Sequence, residues 1–340
     1  MGQATIDDVA KAAGVSTFTV SRALRGKEHV AASTREKVLR AAEELDYSAS
    51  KSAAALATGK TNRIALLARE RIAGWFMGGL LDGLYDVLSQ AQYDLTFYRT
   101  GSTKERGEFF TRMPVKRNAD ALIITGFPPT DSEEKTLESI GVPIILANSP
   151  YIRSCQASVA IDDRAAEEKV VRYLAAIGHS RFCYIGCADP LVAYEWGFDD
   201  ARKLGYQDAI SALNLTDCGI YTLEIDSQRS ARQVVSAILA QPEKPTAICV
   251  WSDYHALRVV HELTMAGIRI PEDVSVFGFD GSDVADSIGL STMVPTPPRE
   301  IGHIAARKAL DLIDGKTLDE PHTKVPVMIE PGRTSAPLRP

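Results

Sequence analysis

The side chains most often used for catalysis and metal binding are scattered along this chain. The six histidines and five cysteines form no CxxC pair and no cluster at metal-ligand spacing, and common hydrolase, nucleotide-binding and zinc-protease motifs are absent. We therefore expect no enzymatic activity, no metal and no cofactor. Asp280 follows an apolar strand in a Gly-Phe-Asp-Gly turn. Its carboxylate could accept hydrogen bonds from hydroxyls or an amine.

The first 47 residues have the pattern of three short helices. Thr5 and Asp8 predict a capping box that opens a helix ending at Gly14, and Ser16 predicts the cap of a second helix from Thr17 to Leu24. This spacing is typical of a helix-turn-helix. A second capping box, residues 33–36, predicts a third helix that ends at Leu45. The inward positions are expected to be Val20, Leu24, Val38, Leu39, Ala42 and Leu45.

Residues 48–57 are rich in alanine and serine, and Thr58-Gly59-Lys60 follows them. A lone helix of this length is marginal in water, so we expect it to need a binding partner to become ordered. Residues 1–60 carry nine Lys/Arg and seven Asp/Glu, whereas the remainder carries a net charge of −8. This difference favours contact of the N-terminal segment with phosphate, although a swing of this size also arises by chance.

From residue 63 onward, apolar runs alternate with amphipathic segments, which predicts an α/β class with parallel strands. About 270 residues are too many for one ordinary sheet and favour two doubly wound lobes with a ligand cleft between them. The predicted strands are 64–68, 94–98, 121–125, 143–147, 182–186, 247–251 and 274–278. The predicted helices include 74–92, 163–177, 227–239, 254–265 and 298–314, with Gly178 and Gly267 at the C-caps of two of them.

These segments together resemble the LacI/GalR family of transcription regulators over essentially the whole chain. The resemblance is strongest in residues 4–22 and 34–47, and it continues through Gly178-His179-Ser180-Arg181, residues 270–275 and Gly278-Phe279-Asp280. It implies an N-terminal all-α helix-turn-helix head (1–47), a hinge (48–62) and a periplasmic-binding-protein-like (type I) core (63–340). We expect the N-lobe over about 63–161 and 291–322, and the C-lobe over about 162–290 and 323–340.

The resemblance places the second helix in the DNA major groove, where Thr17, Phe18 and Arg22 would reach base edges. Arg22 could pair with guanine or contact only phosphate, and Phe18 could pack on a thymine methyl or be buried in the head. The candidates for phosphate contact are Thr5, Ser16, Ser21 and Thr34. Leu56, followed by Ala57, resembles the family's hinge leucine, which wedges into the minor groove, although a plain linker has the same composition. We expect an inverted-repeat operator with a central CG step.

The resemblance also implies an effector-binding site at the C-terminal ends of the core strands. The candidate contacts are Arg69, Trp75, Phe76, Phe127, Asn148, Tyr194, Ser252 and Asp280. Trp75 and Phe76 could stack on a sugar face or a flat ring, or simply anchor a helix. Sugar-binding members often have arginine at the position of Tyr194, asparagine at that of Ser252 and glutamine at that of Thr296. A carbohydrate effector is our first expectation, and a nucleoside-like or amino-acid-like effector is the alternative.

We therefore expect a transcription regulator, most simply a repressor, which acts as a homodimer at the nucleoid in the cytoplasm. Its partners would be double-stranded operator DNA, a small-molecule effector and a second copy of the chain, with no role for a membrane. An enzyme and a free solute-binding protein are the rival interpretations. Asp162 and Asp253 are expected to be helix N-caps and not effector contacts.

Overall fold

A computed structural model describes residues 4–24, 30–47, 60–69, 72–126, 129–149, 153–188, 200–224 and 227–338. The chain divides into two compact units, one formed mainly by residues 1–62 and the other by nearly all of residues 63–340. None of the described helices has the length and apolar character needed to cross a bilayer.

The first unit contains the three predicted helices: α1 (Ile6–Ala13), α2 (Thr17–Leu24) and α3 (Ala32–Glu44). The capping box of Thr5 with Asp8 is confirmed, Gly14 has the left-handed φ of 66°, and the Ser16 hydroxyl accepts from the Thr19 amide at 3.2 Å. The apolar stripes of the helices meet in one small core. Its buried members are Val9, Ala10, Val20, Ala23, Val38, Ala41 and Ala42.

Three expectations for α3 are wrong. The helix begins at Ala32 with Ala31 as its N-cap, so Ser33 already lies within the first turn and does not form a capping box. The Ala31 carbonyl instead accepts from the Thr34 and Arg35 amides, at 3.0 and 2.9 Å. Leu39 is 49% exposed because the face of α3 that packs in the head core consists of Val38, Ala41 and Ala42, and the C-cap residue Leu45 is 36% exposed.

The second unit contains two six-stranded sheets, which confirms the predicted α/β class with two doubly wound sheets. The first sheet, which we call sheet A, has the strand order β11-β5-β4-β3-β1-β2, and all its neighbours are parallel. Its strands are β1 (Arg63–Ala68), β2 (Asp94–Arg99), β3 (Ala121–Thr125), β4 (Ile144–Ala147), β5 (Ala157–Ala160) and β11 (His322–Lys324).

The second sheet, sheet B, has the order β12-β10-β9-β8-β6-β7, and only β12 runs antiparallel to its neighbour. Its strands are β6 (Arg181–Ala188), β7 (Thr216–Glu224), β8 (Ala247–Val250), β9 (Ser275–Phe279), β10 (Ser291–Pro295) and β12 (Val327–Glu330). We expected residues 291–295 in the N-lobe, but β10 is hydrogen-bonded to β9 and therefore belongs to sheet B. Thr323 and Lys324, which we expected in the C-lobe, pair with β5 and belong to sheet A. The other lobe boundaries stay predictions.

Helices connect the strands of both sheets. They are α4 (Trp75–Gln90), α5 (Thr103–Arg112), α6 (Asp131–Glu138), α7 (Asp163–Ala176), α8 (Ala201–Ala212), α9 (Gln228–Leu239), α10 (Asp253–Met265), α11 (Asp283–Ile288) and α12 (Pro298–Ile313). Gly178 and Gly267 each follow a C-cap residue by one position, with φ of 103° and 79°. Two helix pairs approach closely at a glycine. A Cβ on Gly83 of α4 would lie 1.9 Å from the Arg299 carbonyl oxygen of α12, and one on Gly205 of α8 would lie 2.1 Å from that of Arg164 on α7.

The strand orders define where a ligand should bind. In each doubly wound sheet the crevice lies at the carboxyl ends of the two strands between which the order reverses. These are β1 and β3 in sheet A, and β6 and β8 in sheet B. Side chains that follow those four strands are therefore the first candidates for effector contacts.

Candidate functional site

The surface of α2 presents an aromatic ring and a guanidinium together. Phe18 is 68% exposed, so the alternative that it belongs to the head core is wrong. The Arg22 guanidinium carbon lies 5.5 Å from the Phe18 ring centroid, one helical turn away. Thr17 is also exposed, at the N-terminal end of the same helix. The residues predicted to reach base edges thus share the surface of α2 that the head core does not use.

The side chains predicted to contact phosphate lie at helix starts or on α2. Ser16 caps α2, Thr34 lies in the first turn of α3 and Ser21 is half-buried on α2. The Thr5 hydroxyl donates to the Asp8 carboxylate at 2.7 Å. Their contact with phosphate stays a prediction. Leu56 and Ala57, the predicted hinge contacts, lie outside the described residues.

At the sheet A crevice, Arg69 bridges the two strands between which the order reverses. Arg69 follows β1, and its Nε donates to the carbonyl of Gly126, which follows β3, at 3.0 Å. Asn148 follows β4 in a left-handed conformation, and its side-chain oxygen accepts from the Ile161 amide at 3.3 Å. At the start of α4, Phe76 packs on the apolar core, whereas Trp75 is 36% exposed. Phe127 lies outside the described residues.

Beside the sheet B crevice, at the ends of β8 and β9, lies Arg202, a residue that sequence reasoning missed. Its side chain is only 12% exposed, and its Nε donates to the Asp163 carboxylate at 2.7 Å. Its Nη1 donates to the Trp251 carbonyl and lies 3.7 Å from an oxygen of Asp280. The guanidinium carbon lies 3.6 Å from the centroid of the Phe279 ring. One arginine thus joins the start of α7, the end of β8 and the end of β9.

The charges around Arg202 hold it ionised. Burial alone would lower the pKa of its guanidinium, but the Asp163 and Asp280 carboxylates outweigh burial and raise that pKa above its usual range. Asp200 caps α8 by accepting from the Arg202 amide at 3.0 Å, and it also accepts from the buried Tyr184 hydroxyl at 2.8 Å. Burial, reinforced by the Asp200 charge, raises the pKa of Tyr184 well above its usual value. The cluster therefore combines a fixed cation with three carboxylates.

One prediction about the start of α10 needs correction, while the effector contact of Ser252 stays a prediction. Ser252 is the N-cap of α10: its hydroxyl accepts from the His255 amide at 3.4 Å and lies 2.6 Å from His255 Nδ1. Asp253 is therefore not the N-cap, but the first residue of the helix, and it is fully buried. Asp162, in contrast, is confirmed as the N-cap of α7, where it accepts from the Ala165 amide at 3.2 Å. Tyr194 lies outside the described residues.

A signal for Arg202 is present in the sequence. Arg202, Gly205, Tyr206 and Ala209 follow the i, i+3, i+4, i+7 spacing of one helix face, and the last three are buried. An arginine in such a stripe must find carboxylates or carbonyls inside the protein, because a buried charge without partners is costly. Within the described residues no group of three or more His, Cys, Asp or Glu is placed to hold a metal ion.

Comparison with known proteins agrees with this architecture. Residues 5–50 match the model of bacterial regulatory proteins of the lacI family, and residues 171–335 match that of a periplasmic binding protein-like domain. The HTH-type transcriptional repressor PurR of Vibrio atlanticus (strain LGP32) is 30% identical over 329 residues, which cover 94% of each chain. The chain belongs to the lacI family. Catabolite control protein A of Priestia megaterium is 29% identical, over 96% of this chain and 97% of that protein.

Solved structures share the fold of this LacI-family regulator. The lac repressor dimer bound to operator and the anti-inducer ONPF superposes with a TM-score of 0.83 at 23% identity, over 98% of this chain and all of that one. The CelR–cellobiose complex superposes with a TM-score of 0.68 at 24% identity, over 97% and 99% of the two chains. At this identity the likeness shows the fold alone. The relatives at 29–30% identity are named as regulators, not as enzymes.

Proposed function

We propose that this LacI-family regulator is a repressor that binds an inverted-repeat operator as a homodimer in the cytoplasm, at the nucleoid. Its affinity for the operator is controlled by a carbohydrate bound to the periplasmic-binding-protein-like domain. The observation that carries the proposal is that one chain has both an exposed Phe18–Arg22 surface on α2 and an Arg202–Asp280 cluster beside the crevice of sheet B.

Phe18 and Arg22 supply complementary ways to read bases. An exposed phenylalanine has no polar atom to offer, so its natural partner in the major groove is the methyl group of thymine. The planar guanidinium of Arg22 suits the O6 and N7 acceptors of guanine, a contact worth about 1–3 kcal/mol of discrimination. Thr5, Ser16, Ser21 and Thr34 would fix the register on the phosphates. Leu56, with Ala57 beside it, would wedge open a central pyrimidine–purine step.

The Arg202 cluster is suited to a neutral ligand rich in hydroxyls. Each hydroxyl both donates and accepts, so it can bond to the Asp280 carboxylate and to the guanidinium at once. An anionic ligand would instead add a negative charge beside Asp163 and Asp280, which already neutralise the single cation at this position. This argument favours a carbohydrate. A nucleoside carries similar hydroxyls on its ribose and is the class with which carbohydrates must be compared.

The operator prediction is tested by selecting tight-binding duplexes from a random library with the full-length protein. We expect an inverted repeat with CG at its centre, and affinity that falls steeply with salt. Arg22→Ala should lower discrimination at one base pair of each half-site. Arg40→Ala is the matched control, because Arg40 lies exposed on α3 in a pair with Glu36. Selection of no common sequence would refute sequence-specific binding, and Leu56→Ala with unchanged preference for CG would refute the wedge.

The effector prediction is tested by a thermal-shift screen of neutral sugars, sugar phosphates, nucleosides and amino acids. A ligand stabilises the folded state in proportion to the logarithm of its concentration over its Kd, so a true hit raises Tm progressively with dose. Arg202→Ala and Asp280→Asn should abolish the shift. Arg181→Ala is the control, because Arg181 begins β6 at the amino ends of the parallel strands, away from the carboxyl ends that form the crevice. Its Nε donates to the Lys244 carbonyl. A hit among sugar phosphates alone would contradict the charge argument.

A further inference from the structure

We propose that Asp253 is a positioning residue that clamps the turn after β9 and thereby aims the Asp280 carboxylate at Arg202. The inference rests on the proposed effector site, which it deepens by naming what holds that site in shape. Asp253 does not touch Arg202 through any hydrogen bond or ion pair of the structure; it would act through the turn.

The Asp253 carboxylate accepts from two separate segments. Its Oδ2 accepts from the backbone amide of Ser282 at 2.8 Å and from the Ser282 hydroxyl at 2.9 Å. Its Oδ1 accepts from the hydroxyl of Thr292, on β10, at 2.6 Å. The residue is fully buried, so water does not compete for these bonds. Asp253 therefore ties the start of α10 to Ser282, which follows the turn, and to β10.

The turn that Asp253 holds has an unfavourable backbone. Asp280 has a φ of 134° and Gly281 a φ of 64°, a region that side-chain-bearing residues rarely adopt. Such a conformation persists only where the surroundings over-determine it. The Asp280 amide donates to the Met293 carbonyl at 2.9 Å, and the Gly281 amide lies 3.4 Å from the Thr292 hydroxyl oxygen that accepts from it. The Thr292 hydroxyl thus bonds both to Asp253 and to Gly281, so it connects the buried carboxylate to the strained turn.

The surroundings of Asp253 are shaped to admit it. A Cβ on Gly278 would lie 2.5 Å from its Oδ1, so only glycine at that position leaves room for the carboxylate. Burial raises the pKa of Asp253, while its bonds with Ser282 and Thr292 and the Arg202 charge oppose that rise. The helix does not need this carboxylate as a cap, since Ser252 has that role. The clamp on the turn is what accounts for an acid buried here.

A double-mutant cycle on thermal stability tests the inference without any ligand. If Asp253 holds Asp280 against Arg202, Asp280→Asn should cost less in the Asp253→Asn background than in the wild type. We expect the Tm loss of the double variant to be smaller than the sum of the single losses by about 2–4 °C. The control cycle pairs Asp253→Asn with Arg181→Ala and should be additive. Additive losses for Asp253 and Asp280 would overturn the proposal.

Thr292 provides a second test in case Asp253→Asn does not fold. Thr292→Val keeps the shape of the side chain but removes the hydroxyl, whereas Thr292→Ser keeps the hydroxyl. We expect a crystal structure of the valine variant to show Asp280 further from Arg202 than the present 3.7 Å, and the serine variant to keep that distance. An unchanged distance in the valine variant would overturn the clamp. If the Asp253–Asp280 cycle is non-additive but the protein binds no carbohydrate, only the proposed effector is refuted and the role of Asp253 stands.

Discussion

Replacing Glu167 by glutamine should change how the stability of the second unit depends on pH. Glu167 lies on α7 and is 2% exposed. Within the described residues its Oε1 has no hydrogen-bond partner. Burial raises the pKa of this carboxyl to about 8; the Asp200 charge adds to the rise and that of Arg202 opposes it. The folded protein therefore holds Glu167 protonated at pH 7.

The sign and size follow from linkage. The pKa of the folded carboxyl lies above the ordinary value of 4.5, so the folded state binds more protons than the unfolded state between about pH 4.5 and pH 8. The stabilising contribution is complete below pH 4.5 and is lost as the pH rises through that window. From pH 5 to pH 7 the wild type should lose roughly 2–3 kcal/mol of unfolding free energy that the Gln variant does not lose.

Urea denaturation of both proteins at pH 5, 6, 7 and 8 measures this difference. A fixed penalty for placing an amide in the pocket shifts the variant equally at every pH, so the slope and not the intercept is the test. Glu168→Gln, on the same helix in a pair with Arg172, controls for loss of a negative charge. Parallel stability profiles for wild type and Glu167→Gln would refute the assignment of a neutral buried carboxyl.

Other variants test the packing and charge of the remaining elements. Gly205→Ala should destabilise the second unit by about 1–3 kcal/mol in urea unfolding, because its methyl group would meet the backbone of α7; Gly107→Ala, with open space around it on α5, should instead stabilise by about 0.5 kcal/mol. Glu133→Gln breaks the ion pair with Arg106, in which both side chains are at most 14% exposed. The uncompensated charge of Arg106 should lower the free energy of unfolding by about 3 kcal/mol, which a lower Tm would show. The hydrogen bond with Asp86, and to a smaller extent that with Glu300, raises the pKa of His303. The contribution of His303 to folding stability is therefore complete below pH 6.5 and is lost at higher pH. His303→Gln should lower the free energy of unfolding more at pH 6 than at pH 8.5 in the same assay.

The head could be predicted from sequence almost residue by residue, because its signals are local. The Thr5 capping box, the left-handed Gly14 and the Ser16 cap depend only on neighbours within one turn. The start of α3 was misplaced since Ala31 has no side-chain oxygen to mark it as an N-cap. Local chemistry cannot reveal a cap formed without a side chain.

The strands of the core also fall into those that local sequence predicts and those that it does not. Buried strands such as β3 and β9 are continuous apolar runs and were predicted within one residue. The strands that were missed are β5, β7, β10, β11 and β12. Several of them are short, and β7 (TDCGIYTLE) has no apolar run because much of it is exposed. Such strands exist because a neighbouring strand pairs with them, and a single sequence does not show that neighbour.

The candidate site was predictable only where a side chain follows a strand directly. Asp280 could be found from its Gly-Phe-Asp-Gly turn, but Arg202 is carried on a helix and reaches the crevice through packing of α8 on α7. Ser252 also follows a strand, yet it is used as a helix cap. Position after a strand places a residue at the crevice edge, while the direction of its side chain depends on competing local bonds.

Arg202 also indicates how a ligand could be sensed within sheet B. Its partners come from three elements: Asp163 begins α7, Trp251 follows β8 and Asp280 follows β9. A hydroxyl that replaces Asp280 as a partner of the guanidinium alters a bond that joins β9 to α8, and Asp253 ties the same turn to α10. A ligand shifts a conformational equilibrium only if its contacts differ between the two states. The bonds of Arg202 and Asp253 are where such a difference could arise. If the proposed effector binds here, Arg202 is the residue through which α7, α8, β8 and β9 would all respond to it.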